Sequence, residues 1–331
     1  MKTALITGAS GQDAYYLALL LLKKGYKVVA TERRSARERP LSVVKLLLLP
    51  NYSTLELDVT DISSIMRAIQ NCQPDEFYHL AAQSEVGTSF SQPLTTIDIT
   101  GMGAANCLEA LRILKPDTKF YFAGSSEQYG DTHGTILNEE SPFVPRSPYA
   151  CAKLMGFHLA RTYRFSYDMF TCCGILFNHE SPERKHYFVT RKITDGVAQI
   201  VAGKSNKIRL GNILSGRDWG HAADYVEAAW LMLQAEKPDD YVVATGAFYT
   251  IKDLLDIAFA AAGLSEKSGD WKKYVEHGTP ENVRPHDVIR LVGDSSKIRD
   301  TLGWKPRYTF IQLIEEMVAH DLALHRVSIS S

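Results

Sequence analysis

Residues 4–14 read ALITGASGQDA. A short apolar run breaks there into a glycine-spaced turn. The run suits a buried strand, and Gly8, Gly11 and Ala14 follow it in a GxxGxxA pattern. Glycine lets a backbone come close to a pyrophosphate, and the helix that starts beyond such a turn offers free N–H groups and a positive dipole end. By spacing alone the pattern also fits a plain tight turn. Its place between a first strand and a first helix points to a nucleotide.

Outward from this turn, short apolar runs continue at residues 27–31, 54–57, 76–81, 119–123 and 170–176. Helical patterns lie between them near 14–24, 62–71 and 102–114, and from 147–149 to about 167. The runs are continuous rather than alternating, as in strands covered on both faces, and the interleaved helices imply parallel crossovers. The reading is an α/β, Rossmann-like doubly wound parallel sheet over residues 1–176. A smaller C-terminal α/β substrate lobe is expected over 177–331, with some segments returning to the sheet. Polar, arginine-containing loops at 180–191, 212–218 and 276–290 mark that lobe.

The 331 residues carry a net charge of −1, so no general basic field draws the chain to nucleic acid or to anionic membrane. Local arginines must therefore recognise any phosphate. Five cysteines without paired metal-ligand spacing fit a reducing compartment, and none of the ten histidines forms an HExxH motif, so no metal is expected. The N-terminus lacks the apolar core of a signal peptide, and the expectation is a cytoplasmic protein.

The second strand runs into Glu32, Arg33, Arg34 and Ser35. An acidic residue there binds a ribose 2′-hydroxyl, whereas arginine accommodates a 2′-phosphate. Two guanidinium groups and a hydroxyl favour NADP, while Glu32 keeps NAD open. Asp58 and Val59 after the third strand can border the adenine. Leu80, Ala82 and Ser84 after the fourth strand are small enough, or close enough to small residues, to let a cofactor pass. Tyr149 and Lys153 stand i, i+4 on one helix face, just after Pro148, where a cation and the helix dipole favour phenolate. Ser125 and Glu127 follow the fifth strand and can share a crevice with Tyr149, one as hydrogen-bonding partner and the other as proton acceptor.

Taken together, SSEQYG, PRSPYACAK, LFNHESPERK, TRKI and GRDWGHAADYV resemble the GDP-mannose 4,6-dehydratase family of the extended short-chain dehydrogenase/reductase superfamily, over nearly the whole chain. The resemblance implies cofactor contacts from Gly8, Gly11, Gln12, Asp13, Arg33, Asp58, Val59, Leu80, Ala82, Ser84, Tyr149, Lys153, His179 and Arg184. It places Asn178, Arg191, Lys192, Arg217 and Arg284 around the diphosphate or sugar of a GDP-sugar. It implies a lyase in which Ser125, Glu127, Tyr149 and Lys153 are catalytic and NADP is recycled, and a homo-oligomer, dimer or tetramer. Ser125 stands where the family usually has threonine, Ala14 replaces a third glycine, and residues 36–50 depart from the family pattern. A dehydratase of another GDP-sugar, such as a manno-heptose, shares these motifs. A GDP-4-keto-6-deoxymannose reductase, an epimerase, and a non-catalytic NADP-binding sensor or scaffold share part of them.

Overall fold

The computed structural model of the chain describes residues 1–34, 40–130, 134–264, 268–278, 288 and 290–325. In the first half, strands β1 (Thr3–Thr7), β2 (Lys27–Glu32), β3 (Tyr52–Glu56), β4 (Glu76–His79), β5 (Lys119–Ala123) and β6 (Thr171–Leu176) alternate with helices. These are α1 (Gln12–Lys23), α2 (Leu41–Leu47), α3 (Ile62–Cys72), α4 (Val86–Ser91), α5 (Pro93–Ile97), α6 (Gly103–Leu114) and α7 (Pro148–Tyr167). The second half adds the short strands β7 (Asn178–Glu180), β8 (Ile208–Leu210), β9 (Gly216–Arg217) and β10 (Trp219–His221). After them come β11 (Asp240–Val243), β12 (Tyr249–Thr250) and β13 (Val275–His277). Its helices are α8 (Val189–Val201), α9 (Ala222–Gln234), α10 (Ile251–Ala261), α11 (Ser296–Leu302) and α12 (Phe310–Leu324).

Seven strands pair in parallel in the order β11-β6-β5-β4-β1-β2-β3. Successive strands leave β1 in opposite directions, so a crevice opens beyond the C-terminal ends of β1 and β4. Both faces of the sheet are covered. Leu17 and Leu21 of α1 pack with Tyr225 and Met232 of α9 on one side. Ile65 of α3, Leu108 of α6 and Phe157 of α7 pack on the other. A separate core of Ile193, Val197, Leu254, Phe259, Leu313 and Met317 holds α8, α10 and α12 together as a lobe beside the crevice. The chain returns from that lobe to add β11 at the sheet edge.

The expected parallel sheet is present, with shifts that have local causes. β4 stops at His79 because the Thr7 hydroxyl oxygen accepts from both the Leu80 and Ala81 N–H groups, each at 3.1 Å, and pulls the chain out of the ladder. β3 starts at Tyr52, earlier than the apolar run suggests. A π-helical turn, Asp98–Met102, precedes α6. α2 forms within the divergent residues 36–50, where the sequence shows no periodic pattern to predict an element.

Helix α7 begins where Pro148 predicts. The Ser147 hydroxyl accepts from the Ala150 N–H at 3.1 Å, satisfying one of the free donors of the first turn. One helix turn beyond Lys153, Gly156 faces Phe122 of β5, and a Cβ there would overlap the ring. Helix propensity alone would favour alanine at this site by roughly 1 kcal/mol. The overlap reverses that sign, because overpacking costs about 1–3 kcal/mol and the ring is walled in by the sheet. Gly156→Ala is therefore expected to lower the urea midpoint and, by lifting α7 from β5, to reduce turnover. A rise in stability would contradict this packing.

Candidate active site

The crevice holds two connected hollows. The outer one, about 390 Å³, is bordered by the glycine turn at Gly8 and Gly11, by Thr31 and Arg33 at the end of β2, and by Val59. The inner one, about 250 Å³, lies beyond β5 and β6 and is bordered by Ser125, Glu127, Tyr149, Lys153, Asn178 and Arg217. Leu80, Ala82, Ser84, Arg184 and Phe188 line both, so a ligand can run from one into the other.

The outer hollow fits a dinucleotide. Gly8 has φ +84°, and a Cβ on it would press on the Ala81 backbone at 3.1 Å. Only glycine adopts that conformation there without strain. The Gly11 N–H donates to the Gly8 carbonyl at 3.0 Å, which folds the turn so that the first turn of α1 faces the groove. Gln12 and Asp13, expected as cofactor contacts, also hold the crevice together. The Gln12 amide donates to the His179 carbonyl and accepts from the Ser181 hydroxyl, both at 2.8 Å.

Asp13 is paired with His179 at 2.9 Å through Nε2, while His179 Nδ1 lies 2.8 Å from the Phe177 carbonyl. Both partners are acceptors, so the doubly protonated imidazolium satisfies both. Burial opposes the charge on each side. The Asp13 charge nevertheless raises the histidine pKa, and the His179 charge lowers that of Asp13.

In the inner hollow, Ser125 and Gln128 close a capping box over the 3₁₀ turn Ser126–Tyr129, and this turn presents Glu127. Gly124 makes it possible, because a Cβ there would meet the Gly174 carbonyl at 2.8 Å. Glu127 lies 3.7 Å from the Arg217 guanidinium, and both side chains are largely buried. Tyr149 reaches the Ser125 hydroxyl. Lys153 donates to the Ala123 carbonyl at 2.7 Å, with its ammonium 5.9 Å from the centre of the Tyr149 ring.

One electrostatic expectation is corrected. The Tyr149 phenol is not lowered; burial pushes it up to about 12, against the Ser125 hydrogen bond and with help from the Glu127 charge. Burial likewise brings Lys153 down to about 8, with Asp13 acting to hold it up. Desolvation outweighs the i, i+4 pairing in both groups.

A family model for GDP-mannose 4,6 dehydratase matches residues 5–317. The chain belongs to the GDP-mannose 4,6-dehydratase family. GDP-mannose 4,6 dehydratase 2 of Arabidopsis thaliana is 47% identical to it, over 98% of this chain and 87% of the plant protein. The GDP-mannose 4,6-dehydratase of Vibrio cholerae is 42% identical, over 97% of this chain and 94% of its own. Among solved structures, the UDP-glucose 4-epimerase of Thermus thermophilus in complex with NAD shares the fold with a TM-score of 0.83. Its identity is 24%, over 96% of this chain and 98% of that one. The dTDP-glucose 4,6-dehydratase of Streptomyces venezuelae with NAD bound reaches 0.85 at 20% identity, covering 96% of each chain.

Within this family member, the residues named from sequence separate into groups. Ser125, Glu127, Tyr149, Lys153, Asn178, His179, Arg184 and Arg217 converge on the inner hollow. Gly8, Gly11, Gln12, Arg33, Val59, Leu80, Ala82 and Ser84 border the outer one. Arg34 and Asp58 lie in a third recess beside Arg33, where the Asp58 carboxylate accepts from Thr60. Arg191, expected around the diphosphate or sugar, packs against α12. It is buried, its guanidinium pairs with Asp321 at 2.5 Å, and it borders neither hollow. An arginine on the first turn of α8 suggests a phosphate ligand from sequence, but a buried aspartate on α12 takes up its charge. Lys192 is half-buried and also outside both hollows. Ser35 and Arg284 lie outside the described residues.

Sequence reasoning passes over Lys185, Tyr187 and Phe188, which border the outer hollow from the loop between β7 and α8. Their only signal is the polar, cation-containing loop after β7. Among the described residues no helix is long and apolar enough to cross a membrane.

The electrostatics carry a test. Lys153 should titrate near 8 in an NMR pH series of the isotopically labelled protein. Asp13→Asn should move its midpoint further down, because the carboxylate that holds the ammonium charged is gone. A midpoint at the ordinary lysine value, or an upward move in the variant, would overturn the desolvated site.

Proposed function

We propose that the chain is an NADP-dependent GDP-mannose 4,6-dehydratase that forms GDP-4-keto-6-deoxymannose. The single observation that carries this reading is the convergence of Tyr149, Lys153, Ser125 and Glu127 on one hollow continuous with a dinucleotide groove. Family membership supports the substrate class. Arg33 beside the groove supports NADP over NAD, because its planar fork suits a 2′-phosphate where β2 ends.

When bound, the nicotinamide supplies a temporary store for the hydride that leaves sugar C4 and arrives at C6. The residues of the chain move the protons. Tyr149 takes the C4 hydroxyl proton, with the Ser125 hydroxyl as its hydrogen-bond partner and the Lys153 ammonium beside it. The C4 ketone acidifies the C5 hydrogen. Glu127 takes that proton and passes it to the departing C6 hydroxyl, which leaves as water. Tyr149 then returns its proton to C5. The two carried hydrogens return to the sugar, so the net change is loss of one water. Tyr149 takes the C4 hydroxyl proton as its phenolate, the form the Lys153 ammonium favours against the burial that pushes the phenol up.

Glu127 distinguishes this reading from a reductase or an epimerase, neither of which eliminates water. Incubated with GDP-mannose and catalytic NADP⁺, the enzyme should give a product lighter by one water, without net NADPH. Glu127→Gln should slow elimination by about 10²–10⁴-fold while NADP⁺ binding is retained. Unchanged dehydration in that variant, or a product two hydrogens heavier than a keto-sugar substrate, would remove the assignment.

A further inference from the structure

The loop between β7 and α8 is built as a fixed strap. Arg191 donates to the carbonyls of Pro182 and Arg184, while Asp321 fixes its other side and itself accepts from the Thr194 hydroxyl at 2.7 Å. A planar guanidinium held in a buried pair has little freedom, so the carbonyls it grips are held too. Ser181 ties the start of the strap to Gln12. Arg184 lies 2.9 Å from the Glu180 carboxylate, with its guanidinium 3.4 Å above the Phe188 ring. Arg191 and Asp321 thus hold the Pro182 and Arg184 carbonyls of the strap in place.

Glu183, Arg184, Lys185, Tyr187 and Phe188 of the strap line the same outer hollow as the glycine turn and the end of β2. Lys185 borders that hollow, as does Arg33 at the end of β2. The groups that act on the lysine ammonium after burial are Arg33 and Arg184, and together they hold it below the usual lysine range. Glu32, Glu85 and Glu183 also border the hollow. Among the described residues, however, no carboxylate is paired with Lys185, whereas Arg184 has Glu180. Cations brought together in an open groove repel until an anion lies between them. Arg33 directly follows β2, the position from which a ribose 2′ substituent is read.

We infer that Lys185 is a cofactor-binding residue, reaching from the strap to hold the 2′-phosphate of NADP together with Arg33. This rests on the NADP reading above and deepens it. The phosphate then bridges the sheet domain and the strap, which favours retaining the cofactor between removal and return of the hydride. Lysine contributes a point charge and arginine a fork, so the two are complementary rather than redundant.

The test is calorimetric titration of the intact protein with NADP⁺, NAD⁺ and 2′,5′-ADP. Lys185→Ala should weaken NADP⁺ and 2′,5′-ADP by about tenfold or more and leave NAD⁺ nearly unchanged, as expected for a lost charge-assisted contact. Lys185→Arg should recover most of the loss. The double variant with Arg33→Ala should lose less than the product of the single effects, because both cations address one phosphate. Equal weakening of NADP⁺ and NAD⁺, or no weakening of either while the wild type prefers NADP⁺, would overturn the inference alone. A wild type that binds NADP⁺ no better than NAD⁺ would sink the cofactor reading and this inference with it.

Discussion

The ion pair between Asp13 and His179 joins the two walls on which everything else depends. Asp13 belongs to the first turn of α1 and His179 to β7, the first strand after the sheet gives way to the lobe. Removing either partner leaves a charge or a polar ring facing a poorly solvated crevice, which is far more costly than losing a surface pair. The Gln12 hydrogen bonds run alongside, so the glycine turn and the strap above it are placed by one connected set of contacts. His179 also stacks on Tyr225 at 4.5 Å, which fixes the ring from the α9 side. The dinucleotide groove owes its shape to this seam as much as to its glycines.

Desolvation then decides the electrostatics of the inner hollow. Each pKa unit corresponds to about 1.4 kcal/mol between protonation states. Burial pushes Tyr149 up and Lys153 down, so both favour their neutral forms more than they would in water. Such a site responds strongly to any charge that enters or develops in it, because little solvent remains to screen it. Glu127 and Arg217 lie 3.7 Å apart in its lining.

Much of this is legible in the sequence, for physical reasons. Strands covered on both faces must be apolar throughout, so β1, β2, β5 and β6 stand out as runs, and the Ser147-Pro148 start of α7 follows from its capping chemistry. The end of β4 is not legible, because a threonine hydroxyl on another strand sets it. The short α2 lies in a stretch that departs from the family pattern and gives no periodic signal. At the candidate site, the shared placement of Ser125, Glu127, Tyr149 and Lys153 is legible, because each is fixed by its own element's end. The Arg191–Asp321 pair is not legible, because Asp321 lies far along the chain and local sequence cannot show which anion a cation meets. Lys185 is missed for the converse reason. Nothing in its neighbours reveals that the strap folds back over the groove.

The sugar's own C4 hydrogen is the most direct probe of this site. GDP-mannose carrying deuterium at C4 should, with catalytic unlabelled NADP⁺, yield a 6-deoxy product with that deuterium in its C6 methyl group, because one hollow is proposed to hold the sugar through removal and return. Deuterium found in free NADPH or lost to water, with an unlabelled methyl group, would contradict the arrangement of Tyr149, Lys153 and Glu127 around a single ring.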